Sequence, residues 1–214
     1  MVLDAGCGVG RDAQMIMNVT RGVYVGVDIS IRSLFEALKR HESRICVIAA
    51  SLTHLPFRDE IFNQIVCSEV LEHIPDWKEA LKELHRVLRM YGVLIVSTPN
   101  VLSLYFPQKI YLERKSKAKH PYDQWKSYWT LKSELRRLGL KIVDARGACI
   151  LPGHICYKPL IKRLLKPLLP LLEVLDNALL SRTPLRYFGY ICVIKSKKMP
   201  PLIKNDPDQL LRSG

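Results

Sequence analysis

The chain has 214 residues, 48% of them hydrophobic, and a formal net charge of +13. That length suits one domain with a proper core and an added subdomain. No apolar run reaches the roughly 18–20 residues of a membrane span, and Asp4 interrupts the short apolar start that a signal peptide would need. A cytoplasmic location is therefore the expectation. Six cysteines (7, 46, 67, 149, 156 and 192) form no Cys-x-x-Cys pair and several sit in apolar runs, which points to reduced buried thiols, not to a disulfide frame or a zinc site.

The charge is lopsided. Residues 1–100 carry 11 Lys+Arg against 12 Asp+Glu, whereas residues 101–214 carry 22 against 8. A phospholipid surface, a phosphorylated substrate or nucleic acid would suit the basic half; a solvated, solubilising face is the alternative.

The chain opens on Val2-Leu3-Asp4-Ala5-Gly6-Cys7-Gly8-Val9-Gly10-Arg11, followed by a helix-compatible run from Asp12 to Met17. This reads as strand, tight turn, helix. Glycines at 6, 8 and 10 allow positive φ and let a ligand lie against bare peptide, and the helix N-terminus would favour an anionic group. A dinucleotide fingerprint needs glycine where Arg11 stands, and a Walker loop needs Gly-Lys-Ser/Thr. A turn with no ligand is the other reading of this stretch.

Val23–Asp28 reads as a second buried strand ending in an acid, 18 residues past Gly10. Two carboxylate oxygens at that offset suit a ribose diol; a plain strand-end turn residue is the alternative. Ser30 caps a helix over Ile31–His41. Further strands follow at Arg44–Ala50, Gln64–Ser68 and Val93–Ser97, and a helix over Asp76–Met90 carries apolar residues at 77, 80, 81, 84, 87 and 88. Apolar strands alternating with amphipathic helices predict an α/β fold, a doubly wound, mostly parallel seven-stranded sheet. Asp4 with the glycine turn, Asp28, Ser51 and Ser68-Glu69 all fall at the carboxyl ends of strands, where such sheets bind ligands.

Gly-x-Gly-x-Gly after an acid resembles motif I of the class I S-adenosylmethionine (SAM)-dependent methyltransferases. "VLDAGCGVG", "VGVDIS", "LPF", "VCSEVLEHI" and "ALKELHRVLRMYGVLIVSTPN" resemble, in order and spacing over residues 2–100, the methyltransferase type 11 group typified by quinone-biosynthesis enzymes. The resemblance implies a Rossmann-like SAM methyltransferase fold, SAM as cofactor and S-adenosylhomocysteine as product. It implies that Asp4, Gly6, Cys7, Gly8 and Gly10 line the methionine part, Asp28 and Ile29 the ribose, Ser51 and Leu52 the adenine, and Ser68 and Glu69 the floor below the sulfonium. The chain departs from the pattern where Ser51 replaces an aspartate, where Asn63 replaces an acid and where Tyr91-Gly92 replaces a glycine pair. Family members generally carry a helix ahead of the first strand; either the second half takes over its covering role or the start lies upstream of Met1.

Glu69, Glu72 and His73 stand at i, i+3 and i+4 and share a face if that turn is helical. Such a set resembles that of metal-assisted O-methyltransferases and 2′-O-methyltransferases of small RNAs, but no fourth ligand of a divalent metal can be named from the sequence, so the expectation is no metal. His73, whose imidazole titrates near neutral pH, is the candidate general base, with Glu69 beside it.

Residues 101–129 interleave Tyr105, Phe106, Tyr111, Tyr122, Trp125, Tyr128 and Trp129 with Lys109, Arg114, Lys115, Lys117, Lys119 and Lys126. As a lid these residues would wall a substrate pocket or stack bases and track phosphates; the alternative is a lid that uses the aromatics as its own core. His120 is a second base candidate. Thr130 caps a helix ending at Gly139, Leu140–Val143 begins strand six, and Arg186–Lys195 forms an antiparallel strand seven. Within residues 130–196, a helical insertion spans about 157–181; its Lys158–Leu175 stretch has an apolar stripe, four basic residues largely off it, and Pro167 and Pro170. It predicts peripheral membrane contact, or else a packed lid or dimer surface. Residues 197–214 read as a disordered tail. The resulting expectation is a SAM-dependent methyltransferase with a small-molecule or lipid-like acceptor. An RNA methyltransferase and a catalytically silent SAM-binding or scaffold subunit are the alternatives. Oligomeric state and acceptor are not written in the sequence.

Overall fold

The computed structural model describes residues 1–20, 22–42, 44–103, 106, 107, 110, 111, 124–148, 174 and 184–200. In chain order the elements are β1 (Val2–Ala5), α1 (Ala13–Val19), β2 (Tyr24–Asp28), α2 (Ile31–Arg40), β3 (Cys46–Ala49), β4 (Phe62–Ser68), a 3₁₀ turn (Leu71–His73), α3 (Trp77–Val87), β5 (Leu88–Pro99), α4 (Tyr128–Arg137), β6 (Leu140–Ala148), a second 3₁₀ turn (Pro184–Phe188) and β7 (Ile191–Lys198). Among the described residues these strands make one seven-stranded sheet in the order β3-β2-β1-β4-β5-β7-β6. β1 to β5 pair in parallel, and β7 lies antiparallel between β5 and β6. The winding direction reverses between β1 and β4, which opens a crevice at their carboxyl ends.

Strand alternation divides the core between two faces. Leu3, Ala5, Val25 and Val27 join Ile65, Leu94 and the inner side of α3 (Trp77, Ala80, Leu81, Leu84, Val87) in the larger cluster, together with Tyr128, Leu131 and Leu135 of α4. Val2 and Tyr24 turn to the opposite face and pack with Ala13, Ile16, Ala37 and Ile45. Burying an aliphatic side chain of this size contributes about 1.5–3 kcal/mol, so the α3 stripe predicted from period 3.6 is a main support of the sheet.

Element ends differ from the sequence-based expectation for identifiable reasons. The helix predicted to Met90 stops at Val87 because Leu88 already pairs with Phe62 at the start of β4. The ladder then resumes at Gln64 opposite Val93, and the residues between bulge out with Tyr91 at φ +64. A non-glycine residue there costs about 1–2 kcal/mol. Ser127, not Thr130, caps α4: its Oγ accepts from the Thr130 N–H at 3.0 Å. β7 begins at Ile191 because Pro184–Phe188 form a 3₁₀ turn, and it runs on through Lys197 and Lys198, residues expected to open the tail. Lys198 is buried and donates to the carbonyls of His85 (3.0 Å) and Leu88 (2.9 Å), with Glu60 at 3.1 Å.

The described aromatics of the lid pack on one another. Trp125 meets Phe106 and Tyr190 at 5.5 Å each, and Tyr187 packs against Tyr128 (4.5 Å) and Trp129 (5.3 Å). Asn100, ending the STPN motif, donates to the carbonyls of Tyr187 (2.7 Å) and Gly189 (3.0 Å) and so fastens β5 to the segment before β7. Lys158–Leu175 (save Val174), His120, Tyr105, Tyr122, Lys109, Arg114, Lys115, Lys117 and Lys119 lie outside the described residues. No described helix is long and apolar enough to cross a membrane.

A Cβ on Gly92 would stand 2.8 Å from the Arg89 carbonyl oxygen and 2.7 Å from Leu88 Cδ1. Gly92→Ala is therefore expected to lower the folding free energy by about 1–3 kcal/mol; a urea midpoint equal to the wild type would contradict this account of the bulge.

Candidate functional site

At the carboxyl ends of β1 to β4 lies a cavity of about 460 Å³. Its walls include Gly6 after β1, Asp28 and Ile29 at the end of β2, Ser51 and Leu52 after β3, and Glu69 and His73 after β4. Seven residues singled out in the sequence thus converge on one space. Ala50, Thr53, Val70, Ile74, Pro75 and Asp76 complete the lining. Sequence reasoning passed over them because loop residues that lack a titratable or glycine signature give no local sign of facing a cavity; Asp76 had been read only as a helix start.

The glycine turn is held by backbone bonds to β2. Gly6 and Cys7 donate to the Val27 carbonyl at 2.7 and 2.9 Å, and the Gly8 N–H donates to Asp28 Oδ2 at 2.8 Å. Asp28 Oδ1 accepts from the Ser30 N–H at 2.8 Å. Each carboxylate oxygen keeps a further acceptor direction. Gly6, Gly8 and Gly10 all have positive φ, but for different reasons. A Cβ on Gly6 would strike Val70 Cγ2; at Gly8 nothing stands within 4 Å; at Gly10 the His41 ring and Ala37 Cβ approach to 3.1–3.2 Å. Gly10 is thus a packing position against α2, and His41 Nε2 donates to its carbonyl oxygen at 2.7 Å. Gly8, Gly10, Cys7, Ser68 and Asp4 are not in the cavity wall. The helix after the turn is short, Ala13–Val19, and Asp12 at its N-cap makes no side-chain cap.

Asp4 lies beneath the turn, 4% exposed, and accepts from the Tyr24 hydroxyl at 2.6 Å. Burial drives its carboxyl pKa up to about 6; the Tyr24 bond pulls it down, and Asp12 and Asp28 push it up. Burial also raises the Cys7 thiol to about 12, so this cysteine is a neutral packing group.

Glu69 stands at φ +55, its N–H on the Ser97 carbonyl (3.1 Å) and its Oε1 accepting from the Ser97 hydroxyl (3.0 Å). The Ser68 hydroxyl stands 3.0 Å from that of Ser97. The expected common face of Glu69, Glu72 and His73 is corrected by this backbone. Only Leu71–His73 is helical, as a 3₁₀ turn, and Glu69 precedes it in a left-handed conformation. Glu72 instead turns inward, 2% exposed, and accepts from the Thr98 hydroxyl at 3.3 Å. Among the described residues no group of three or more His, Cys, Asp or Glu side chains is arranged to hold a metal ion.

The loop after β3 is fixed from α3. Glu83 accepts from the Leu55 N–H (3.0 Å), and Arg86 reaches the carbonyls of Phe57 (2.8 Å) and Leu55 (3.1 Å) and the carboxylates of Glu83 and Asp59. The Arg86 bond, more than any other cause, holds the Glu83 carboxyl below its usual range. Within the loop the Ser51 hydroxyl is engaged with Thr53, 2.8 Å from Oγ1.

The cavity wall contains Asp28, Glu69 and Asp76 and no lysine or arginine. A cationic, nucleoside-sized ligand fits that charge, and about 300–1,000 Å³ is the usual range for small-molecule sites. SAM, with its sulfonium and ammonium groups, meets both conditions. Sheet order, crevice and glycine turn define a class I SAM-dependent methyltransferase domain.

Comparison with known proteins agrees. Residues 3–96 match the family described as "Methyltransferase domain", type 11. A "probable S-adenosylmethionine-dependent methyltransferase" of Mycobacterium tuberculosis is 39% identical over 99 residues, covering 46% of this chain and 35% of that protein. An uncharacterised protein of Methanocaldococcus jannaschii is 34% identical over 144 residues, 67% of this chain and 65% of that protein. The chain spans between 35% and 43% of the length of the first curated relatives it matches. Among solved structures, a SAM-dependent methyltransferase of Thermotoga maritima superposes with a TM-score of 0.65 at 20% identity, over 92% of this chain and 81% of that one. That likeness shows the fold. Residues 3–96 thus carry a methyltransferase domain similar to those of the type 11 group of class I SAM-dependent methyltransferases.

Asp4→Asn tests the buried charge. A carboxyl pKa raised from the ordinary 3.8 to about 6 gives stability that is present below pH 4 and lost as the pH rises through 6. The variant should therefore be about 1–3 kcal/mol more stable than the wild type at pH 8, the difference vanishing near pH 4. Equal denaturation midpoints at both pH values would show that the charge is not buried as described.

Proposed function

We propose that the protein transfers a methyl group from SAM to a small-molecule or lipid-like acceptor. The observation that carries this reading is the meeting of Gly6, Asp28, Ser51-Leu52, Glu69 and His73 in one cavity at the ends of four strands. In it, Asp28 receives the ribose hydroxyls on the acceptor directions left free by Gly8 and Ser30. Ile29 and Leu52 offer apolar surface to the adenine, and the Ser51 region closes its edge. The turn above Asp4 takes the amino-acid end, where bare peptide at Gly8 leaves room. Glu69 supports the positive sulfonium side.

SAM supplies an activated methyl group, and methyl transfer is an in-line displacement. Much of the rate then comes from holding acceptor and methyl group in line, with effective molarities of about 10⁵–10⁸ M available from orientation alone. His73, on the cavity wall and half-exposed, takes the acceptor proton. Glu72 lies 4.0 Å from its Nε2 and orients it.

The acceptor class rests on two supports. Relatives that are 37% and 33% identical over 78 and 97 residues are named as a demethylmenaquinone methyltransferase and a malonyl-[acyl-carrier protein] O-methyltransferase. The basic, leucine-rich Lys158–Leu175 stretch suits contact with an anionic lipid surface. The described lid aromatics face one another and are absent from the cavity wall, an arrangement that favours their use as a core over base stacking.

Calorimetric titration with SAM and with S-adenosylhomocysteine is the decisive measurement. Binding of both is expected, with Asp28→Ala weakening it at least tenfold (about 1.4 kcal/mol or more); no affinity in the wild type would end the reading. Anionic vesicles should retain the protein, and replacing Lys162, Arg163 and Lys166 together should release it. Retention unaffected by that triple substitution, or none at the outset, would remove the lipid-surface component.

A further inference from the structure

We propose that Tyr24 is a positioning residue for the cofactor: its hydroxyl keeps the Asp4 carboxylate ionised and aimed beneath the glycine turn, so that cofactor affinity is lost on mild acidification. The inference rests on the cofactor reading above and goes beyond it, because Tyr24 lies on the buried face of β2, away from the cavity wall.

The geometry is built for this contact. β1 and β2 pair in parallel with Val2 opposite Tyr24 and Asp4 opposite Gly26. Residues 2, 4, 24 and 26 therefore share one face of the sheet. Tyr24 packs there against Val2, Ala13, Ile16, Ala37 and Ile45, and its hydroxyl reaches along the strand to Asp4 Oδ2 at 2.6 Å. Gly26 keeps the path open. A Cβ on it would stand 2.8 Å from Cys7 Sγ and 3.3 Å from Tyr24 Cε1, so a side chain at that position would push on both the ring and the turn.

The electrostatics give the contact its consequence. The titratable groups that face Asp4 are Tyr24 and Asp28 of β2, Cys7 and Asp12 of the turn, and Cys67 of β4. The two acids raise the Asp4 pKa, burial raises it further, and the Tyr24 hydroxyl alone among the named causes lowers it. None of these groups is a cation. A buried carboxylate without a countercharge is poised to gain from a cationic ligand, and SAM brings an ammonium and a sulfonium. Without the Tyr24 bond the same carboxyl would hold its proton to higher pH and offer that ligand less charge.

The test measures SAM affinity by calorimetry between about pH 5.5 and pH 8.5 in the wild type, Tyr24→Phe, Asp4→Asn and the double variant. Wild-type affinity is expected to fall as the pH drops through about 6. Tyr24→Phe should bind several-fold more weakly than the wild type near pH 6, the gap narrowing through pH 7 and closing toward about pH 8.5, as expected when the Asp4 pKa rises. A packing role for Tyr24 would instead lower affinity equally at every pH, and that outcome overturns the proposal. In the Asp4→Asn background, adding Tyr24→Phe should leave the pH slope unchanged; a further pH-dependent loss there also overturns it. Asp4→Asn alone gives an arm independent of how Tyr24→Phe folds, since a pH slope identical to the wild type's would rule Asp4 out as the titrating group. Carbon-13 NMR of aspartate carboxyls in the cofactor-free protein supplies a second readout, with the Asp4 signal titrating at higher pH in Tyr24→Phe. A wild type with no SAM affinity at any pH would overturn the cofactor reading itself, whereas a binding wild type and an identical Tyr24→Phe profile would overturn this inference alone.

Discussion

Three successive amides of the first turn, those of Gly6, Cys7 and Gly8, are taken up by the last two residues of β2: two by the Val27 carbonyl and one by the Asp28 carboxylate. The turn is thus fixed to the neighbouring strand, not to its own helix. Such closeness excludes a Cβ at Gly6, where Val70 presses from the β4 side, and demands left-handed backbone at three positions within five residues. The cavity exists because the turn lies flat there. Its wall at Asp28 and its wall at Gly6 are two sides of one set of hydrogen bonds, so the placing of the Asp28 carboxylate and the shape of the turn are coupled.

The charge of this end of the sheet follows from where the strands stop. Asp28, Glu69 and Asp76 line the crevice and Asp4 lies buried beneath the glycine turn, while the lysines and arginines that make the whole chain strongly basic belong mostly to residues 101–214. Asp4 raised to about 6 represents a cost to the fold on the order of 3 kcal/mol when ionised. Cofactor charge and protein charge are complementary at the crevice.

Support for the cavity reaches it from some distance. Arg86 and Glu83 on α3 grip the loop after β3 through backbone groups of Leu55 and Phe57, so this part of the cavity wall is set by a helix packed in the same core. Ser97 on β5 holds both the Glu69 carboxylate and its N–H, which stabilises the left-handed residue at the end of β4. Asn100 then binds the end of β5 to the chain entering β7. These residues shape the site without lining it.

Much of this was written in the residue pattern. Alternating apolar strands and period-3.6 helices are local signals, and they gave the order of elements, the α3 stripe and the antiparallel last strand; glycine spacing and strand-end acids, with the resemblance they carry, gave seven residues of the cavity wall. Local signals fail where a partner far along the chain decides. Whether Gly10 faces a ligand or a helix depends on His41, thirty-one residues on. Whether Glu72 joins Glu69 and His73 depends on Thr98 and on a turn too short to be an α-helix. The buried meeting of Tyr24 with Asp4, and the empty place at Gly26 that permits it, appears only when two parallel strands fall into register. Sequence fixes which groups a strand can offer; the register between strands fixes which of them meet, because hydrogen-bonded pairing sets distances that no single segment contains.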